Sequence, residues 1–206
     1  MARVSQEHLD ARRRQILDGA ALCFARNGFH ATSMQDVLKE VDLSAGAVYR
    51  YFRGKDELIR AIVTEVLDDI RTSFEQAARQ TPPPPPHELI SAVMGQVLRE
   101  REGLRIDGTP YFPRLVVQVW TETLRNEELA AVIQSGYARV LAAWVGIVKG
   151  YQEAGMMRAD ADPDAVARTM VASAQGFLIQ QALFGEESVA TLRAGLSGLM
   201  SMGETG

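Results

Sequence analysis

The residues best suited to chemistry are those of the run Leu43-Ser44-Ala45-Gly46-Ala47-Val48-Tyr49-Arg50-Tyr51-Phe52, followed by Gly54-Lys55-Asp56-Glu57-Leu58. Small and hydroxylated residues at the front of a short helix let its backbone come close to base edges, and the phenols and cations behind them can reach phosphates. The second helix of a helix-turn-helix uses its N-terminal residues in this way, in the major groove. On that reading Ser44 bonds phosphate or base, Ala45 and Ala47 touch thymine methyls, and Gly46 admits close approach. Arg50 and Lys55 neutralise phosphates. Tyr49 and Tyr51 carry hydroxyls to the nucleic-acid backbone while Val48 and Phe52 anchor the helix; the alternative for Tyr49, Tyr51 and Phe52 is plain core. Catalysis is not expected. His8, His30 and His87 are scattered, His30 and His87 in exposed settings, and no metal-ligand spacing, nucleophile–base pair, P-loop or dinucleotide motif occurs. Neither a metal nor a cofactor is implied.

The charge of the chain supports an N-terminal site. The net charge is −4, yet residues 1–60 hold ten Lys/Arg against eight Asp/Glu, and the other 146 hold twelve against eighteen, so +2 faces −6. With 206 residues, 47% of them hydrophobic, the chain can bury a sizeable core. The longest apolar run, Val140 to Val148, is well short of the roughly 20 residues of a membrane span, and the first residues lack a secretory apolar stretch. A soluble cytoplasmic protein without a membrane partner is expected. Cys23, the single cysteine, sits among Ala20, Ala21, Leu22 and Phe24 and reads as a small core residue.

The elements that must position these residues read as all-α, because apolar residues recur at helical spacing and β-branched alternation is nearly absent. The first helix should span about Glu7 to Asn27, with Ile16, Ala20 and Phe24 on one stripe and an Arg-rich face toward solvent or phosphate. Thr32 and Ser33 can cap a second, Met34 to Val41, with Val37, Leu38 and Val41 inward. Asp42-Leu43 makes the turn and Ser44 caps the third helix. A long helix begins at Lys55, and Thr81 to Pro86 is an extended connector, or alternatively a ligand for a signalling domain. Further helices are expected over Glu88–Arg101, Pro110–Arg125, Asn126 to about Ala154, Asp164–Phe184 and about Glu187–Met202, roughly nine in all.

The chain resembles the tetracycline-repressor (TetR) family of one-component transcription regulators. The resemblance is carried by Arg14-Gln15-Ile16-Leu17, by Gly28-Phe29-His30-Ala31-Thr32-Ser33-Met34 with Asp36-Val37, and by Leu43-Ser44-x-Gly46-x-Val48-Tyr49-x-Tyr51-Phe52-x-Gly54-Lys55-Asp56-Glu57-Leu58. Asp42 stands where the family usually has Gly, and Leu38 where a small residue is usual; Asp tolerates the left-handed turn conformation. The resemblance implies phosphate contacts at Ser33, Tyr49, Tyr51 and Lys55, with Thr32 beside Ser33, and base or near-base contacts at Ser44, Ala45, Gly46 and Ala47.

It also implies a helix-turn-helix DNA-binding domain, residues 1–54, and an α-helical effector-binding and dimerisation domain, residues 55–206. The expected partners are an inverted-repeat operator in double-stranded DNA, a second copy of the chain, and a small-molecule effector. The dimer face is expected on Val166, Met170, Ala174, Phe177 and Gln181 with Leu192, Leu196 and Leu199, unless these stripes are intramolecular core. Ala172, Ser173, Gly176, Gly195 and Gly198 would permit close helix approach. Candidate effector-lining residues are Met94, Leu98, Tyr111, Gln118, Trp120, Tyr137, Trp144, Gln175 and Phe177, each otherwise core; few ionisable groups lie among them, so a neutral, hydrophobic or aromatic effector is expected. A DNA-binding regulator without small-molecule control is the alternative.

Overall fold

The computed structural model describes residues 6–80, 82–102 and 105–201. Among these the chain forms nine α-helices: α1 (Gln6–Asn27), α2 (Met34–Val41), α3 (Ala45–Tyr49), α4 (Lys55–Ala78), α5 (Pro86–Arg99), α6 (Tyr111–Thr123), α7 (Glu127–Glu153), α8 (Pro163–Phe184) and α9 (Val189–Met200). The all-α expectation holds, and the helix bounds fall within about two residues of those read from capping and stop signals; Met202 lies outside the described residues. One element was not expected. Between α5 and α6, β1 (Arg105–Ile106) pairs antiparallel with β2 (Thr109–Pro110), Arg105 opposite Pro110 and Ile106 opposite Thr109. Its turn places Asp107 at φ 50° and Gly108 at φ 77°, the paired left-handed conformation that an Asp-Gly hairpin turn supplies.

Two compact units result, with boundaries inside α4, before β1 and inside α7. The first holds the described parts of Met1–Glu65 and Leu104–Val132. In it Ile16, Ala20 and Phe24 are fully buried on α1, which packs against α2, α6 and β1. Gly19 makes the first of these contacts possible, because a Cβ there would overlap Val41 Cγ1. Cys23 is buried as expected, and burial pushes its thiol up to about 11, so it is a packing residue and not a reactive thiol.

The second unit holds the described parts of Val66–Gly103 and Ile133–Gly206. There α9 packs on α5, the Trp144 ring lies 4.9 Å from that of Phe74, and Gly136 leaves room for Leu67. The proline connector is extended, and it is docked: Pro83 is buried against Gly150, and the Tyr151 hydroxyl donates to the Pro84 carbonyl. That burial rules out Pro83 as an accessible ligand for a signalling domain. The expectation that no helix could span a membrane needs correction on length and composition. α7 meets both requirements, since Ala and Gly lie between its few charges; Trp144, Ile147, Val148 and Tyr151 of this helix are buried in the unit.

Candidate nucleic-acid interface

The candidate interface is built from α2, α3 and the turns before each. Ser33, with φ −97° and ψ 162°, caps α2: its Oγ accepts from the Asp36 amide at 3.2 Å, and Asp36 Oδ2 accepts from the Ser33 amide at 2.8 Å. The Ser33 hydroxyl also donates to Asp36 Oδ2 at 2.6 Å, and these bonds hold the Asp36 carboxyl below the usual carboxylate range. Val37 and Val41 fasten α2 to the core. Asp42 then takes the left-handed conformation, φ 52° and ψ 49°, so the chain turns there without the family's usual Gly.

Ser44 caps α3 by accepting from the Ala47 amide at 3.3 Å, which leaves its hydroxyl proton directed outward for a further acceptor. Val48 is completely buried, and this single anchor rotates the rest of the short helix outward. Ser44, Ala45, Gly46, Tyr49 and Arg50 are exposed, Ala47 and Tyr51 are half-buried, and Phe52 is core. Nothing lies within 4 Å of the position a Cβ would occupy on Gly46. The expected base-facing and phosphate-facing residues of α3 thus form one continuous outer surface, with small residues in front and a phenol and a guanidinium behind.

Two expected DNA contacts are turned inward. Thr32 is 1% exposed, and its hydroxyl is directed at the carbonyls of Gly28 and Cys23, 2.8 and 3.1 Å away. It closes the α1–α2 turn and cannot reach DNA. Lys55, at the start of α4, donates from Nζ to the carbonyls of Phe29 at 2.9 Å, Thr32 at 3.0 Å and His30 at 3.4 Å, and sits 4.7 Å from the Phe29 ring centroid. The Arg-rich face of α1 is likewise partly spoken for. Arg12 bonds Gln15, while Arg13 pairs with Glu65 and covers the Phe52 ring; Arg14 stays exposed.

A link that the sequence reading missed joins the same turn to α6. Glu122 is 6% exposed, and its carboxylate meets His30 Nε2 at 2.9 Å; His30 itself is exposed, as expected from its place in a turn. The Gln118 carboxamide lies beside Gly28, at φ 82°. Gln118 therefore faces the α1–α2 turn and not a ligand. The available signal was the helical spacing of Gln118 and Glu122, but nothing in the sequence paired that face with residues ninety positions earlier.

The effector-lining candidates do not fall in one unit. Tyr111, Gln118 and Trp120 belong to the first, and Met94, Leu98, Tyr137, Trp144, Gln175 and Phe177 to the second. Tyr111, Met94, Trp144 and Phe177 are buried. An open groove of about 390 Å³ in the second unit is lined by Asp68, Arg71, Glu75, Arg139, Ala142 and Ala143, none of them candidates. Gln181 is buried with its Nε2 unpaired, and so is Nδ1 of His87, which is half-buried and not exposed. The stripe expected at a dimer face also needs correction. Met170, Phe177, Gln181 and Leu196 are buried within the single chain, Val166, Ala174 and Leu192 are half-buried, and only Leu199 is exposed. The apolar side chains left uncovered on these two helices are Leu183, Phe184, Leu199 and Met200, and the Gly176, Gly195 and Gly198 Cα atoms open onto free space.

Residues 16–62 match the family model for bacterial regulatory proteins of the tetR family, and residues 105–200 match the C-terminal domain of BetI-type transcriptional repressors. The HTH-type transcriptional regulator YfiR of Bacillus subtilis is 28% identical over 201 residues, covering 96% of this chain and 90% of that protein. The HTH-type transcriptional repressor Rv1474c of Mycobacterium tuberculosis is 45% identical over 65 residues, 32% of this chain and 35% of that protein. Among solved structures, Salmonella enterica GusR superposes with a TM-score of 0.72 at 28% identity, covering 97% of this chain and all of the other.

Proposed function

Since this chain belongs to the TetR family of helix-turn-helix transcription regulators and is a DNA-binding protein rather than an enzyme, we propose that it is a cytoplasmic, homodimeric repressor of an inverted-repeat operator, released by a small molecule. The observation that carries the reading is the outer face of α3, where Ser44, Ala45, Gly46, Tyr49 and Arg50 are exposed around the fully buried Val48. Base readout falls to Ser44, Ala45, Gly46 and Ala47, and phosphate contact to Ser33, Tyr49, Arg50 and Tyr51. We assign residues 1–54 to DNA binding and 55–206 to effector binding and dimerisation. Specificity in this arrangement rests on thymine methyls, close backbone fit and DNA shape, because the front of α3 has no bidentate side chain.

The second copy docks on the uncovered apolar ends of α8 and α9, at Leu183, Phe184, Leu199 and Met200, where Gly195 and Gly198 permit close helix approach. The effector is a neutral, hydrophobic or aromatic molecule held in the second unit. Gln181 supports this reading: a buried amide N–H without an acceptor is a donor available to a carbonyl or hydroxyl. To shift the repressor from 1:99 to 99:1, such a molecule must favour the released state by about 5.5 kcal/mol.

The test uses a duplex selected from a random pool by the wild-type protein, with affinity measured across salt concentrations. Arg50→Ala is expected to weaken binding and to reduce the slope of log K against log[salt] by about 0.9, the signature of one lost phosphate contact. Tyr49→Phe should weaken binding a few-fold at an unchanged slope. If neither variant binds less tightly than wild type, the assigned face is wrong.

A further inference from the structure

We infer that Lys55 is a positioning residue that locks the α1–α2 turn and makes no phosphate contact of its own. Its ammonium has three N–H donors, and the carbonyls of Phe29, Thr32 and His30 lie within 3.4 Å of Nζ. The face of the Phe29 ring takes up part of the remaining charge from 4.7 Å. A cation so engaged would have to give up two bonds of 2.9 and 3.0 Å before serving a phosphate. The exposed cations that carry no such bonds in this region are Arg14, Lys39, Arg50 and Arg53.

What Lys55 holds is the segment that ends in Ser33. From the α4 side it pulls the Phe29 and Thr32 carbonyls together; from the α1 side the Thr32 hydroxyl binds the Cys23 and Gly28 carbonyls. The next residue, Ser33, is the cap of α2 and the proposed phosphate donor. Lys55 therefore fixes where the first helix of the helix-turn-helix begins, and it acts on DNA through Ser33. This inference rests on the DNA-binding reading above, and its test separates the two.

The measurement is the same salt titration on the selected duplex, with full-length Lys55→Met, Lys55→Arg, Ser33→Ala and the Lys55→Met/Ser33→Ala pair, and with wild type and Arg50→Ala as controls. A wild type that binds no duplex overturns the DNA-binding reading, whatever Lys55 does. Lys55→Met is expected to weaken binding about ten-fold at an unchanged slope, whereas loss of a phosphate contact lowers the slope by about 0.9, as for Arg50→Ala. Lys55→Arg keeps the charge but not the three-carbonyl fit, so it too should bind less tightly; wild-type affinity in this variant would overturn the inference. It also decides the matter if Lys55→Met does not fold. The double variant should lose less than the product of the single losses, because both act at one turn. Independent losses that simply multiply would reduce Lys55 to a general structural role and overturn the inference.

Discussion

Gly46→Ala is expected to make the free protein more stable and its complex with DNA weaker. Gly46 lies in α3 with nothing within 4 Å of a Cβ, so the substitution meets no steric resistance in the folded chain. Alanine in a helix is favoured over glycine by about 0.8–1.0 kcal/mol, enough to raise the melting temperature by a few degrees. On the DNA side the added methyl enters the gap that close backbone approach requires. An overpacked contact costs about 1–3 kcal/mol, which is a loss of roughly ten- to two-hundred-fold in affinity. Calorimetry and operator titration of one variant read both signs. A rise in stability with unchanged affinity would remove Gly46 from the interface and turn the front of α3 away from DNA.

The second large effect is expected from Phe184→Asp combined with Leu199→Asp. Both side chains are well exposed in the single chain, so their replacement removes little from the protomer core, while two carboxylates on the proposed dimer face oppose their copies across a two-fold axis. Sedimentation should show monomers at concentrations where the wild type is dimeric. Operator affinity should fall at least about 100-fold, because the second half-site is no longer engaged by a tethered partner. A variant that remains dimeric would move the interface elsewhere on the second unit.

The sequence made the helix-turn-helix legible because its signals are local. Caps at Ser33 and Ser44, the left-handed Asp42 and the buried Val48 each follow from residues within four positions, and the structure bears out all of them. What stayed hidden depends on distant pairing. Lys55 could be read as a phosphate ligand from its type, but its actual acceptors are backbone carbonyls about twenty-five residues earlier. Thr32 looked like an outer cap, and its hydroxyl instead closes the turn from inside. The stripe Met170, Phe177 and Gln181 has the spacing of a helix face and gives no indication of whether that face meets its own chain or another; burial decides for the former. Asp107-Gly108 was a readable hairpin signal, flanked by Ile106 and Thr109, in a region where helical spacing dominates. Within the second unit, polar and apolar candidates for an effector site share one composition with ordinary core, so residue type alone could not separate them.

The central claim is that two copies of α3 read an inverted repeat in successive major grooves. Hydroxyl-radical footprinting of the wild-type protein on its selected duplex tests this most directly. Two protected half-sites related by inversion, with centres about 34–36 Å apart or a multiple of that helical repeat, are the predicted result. Protection of a single half-site, or even protection along the whole duplex without an enriched sequence, would contradict it.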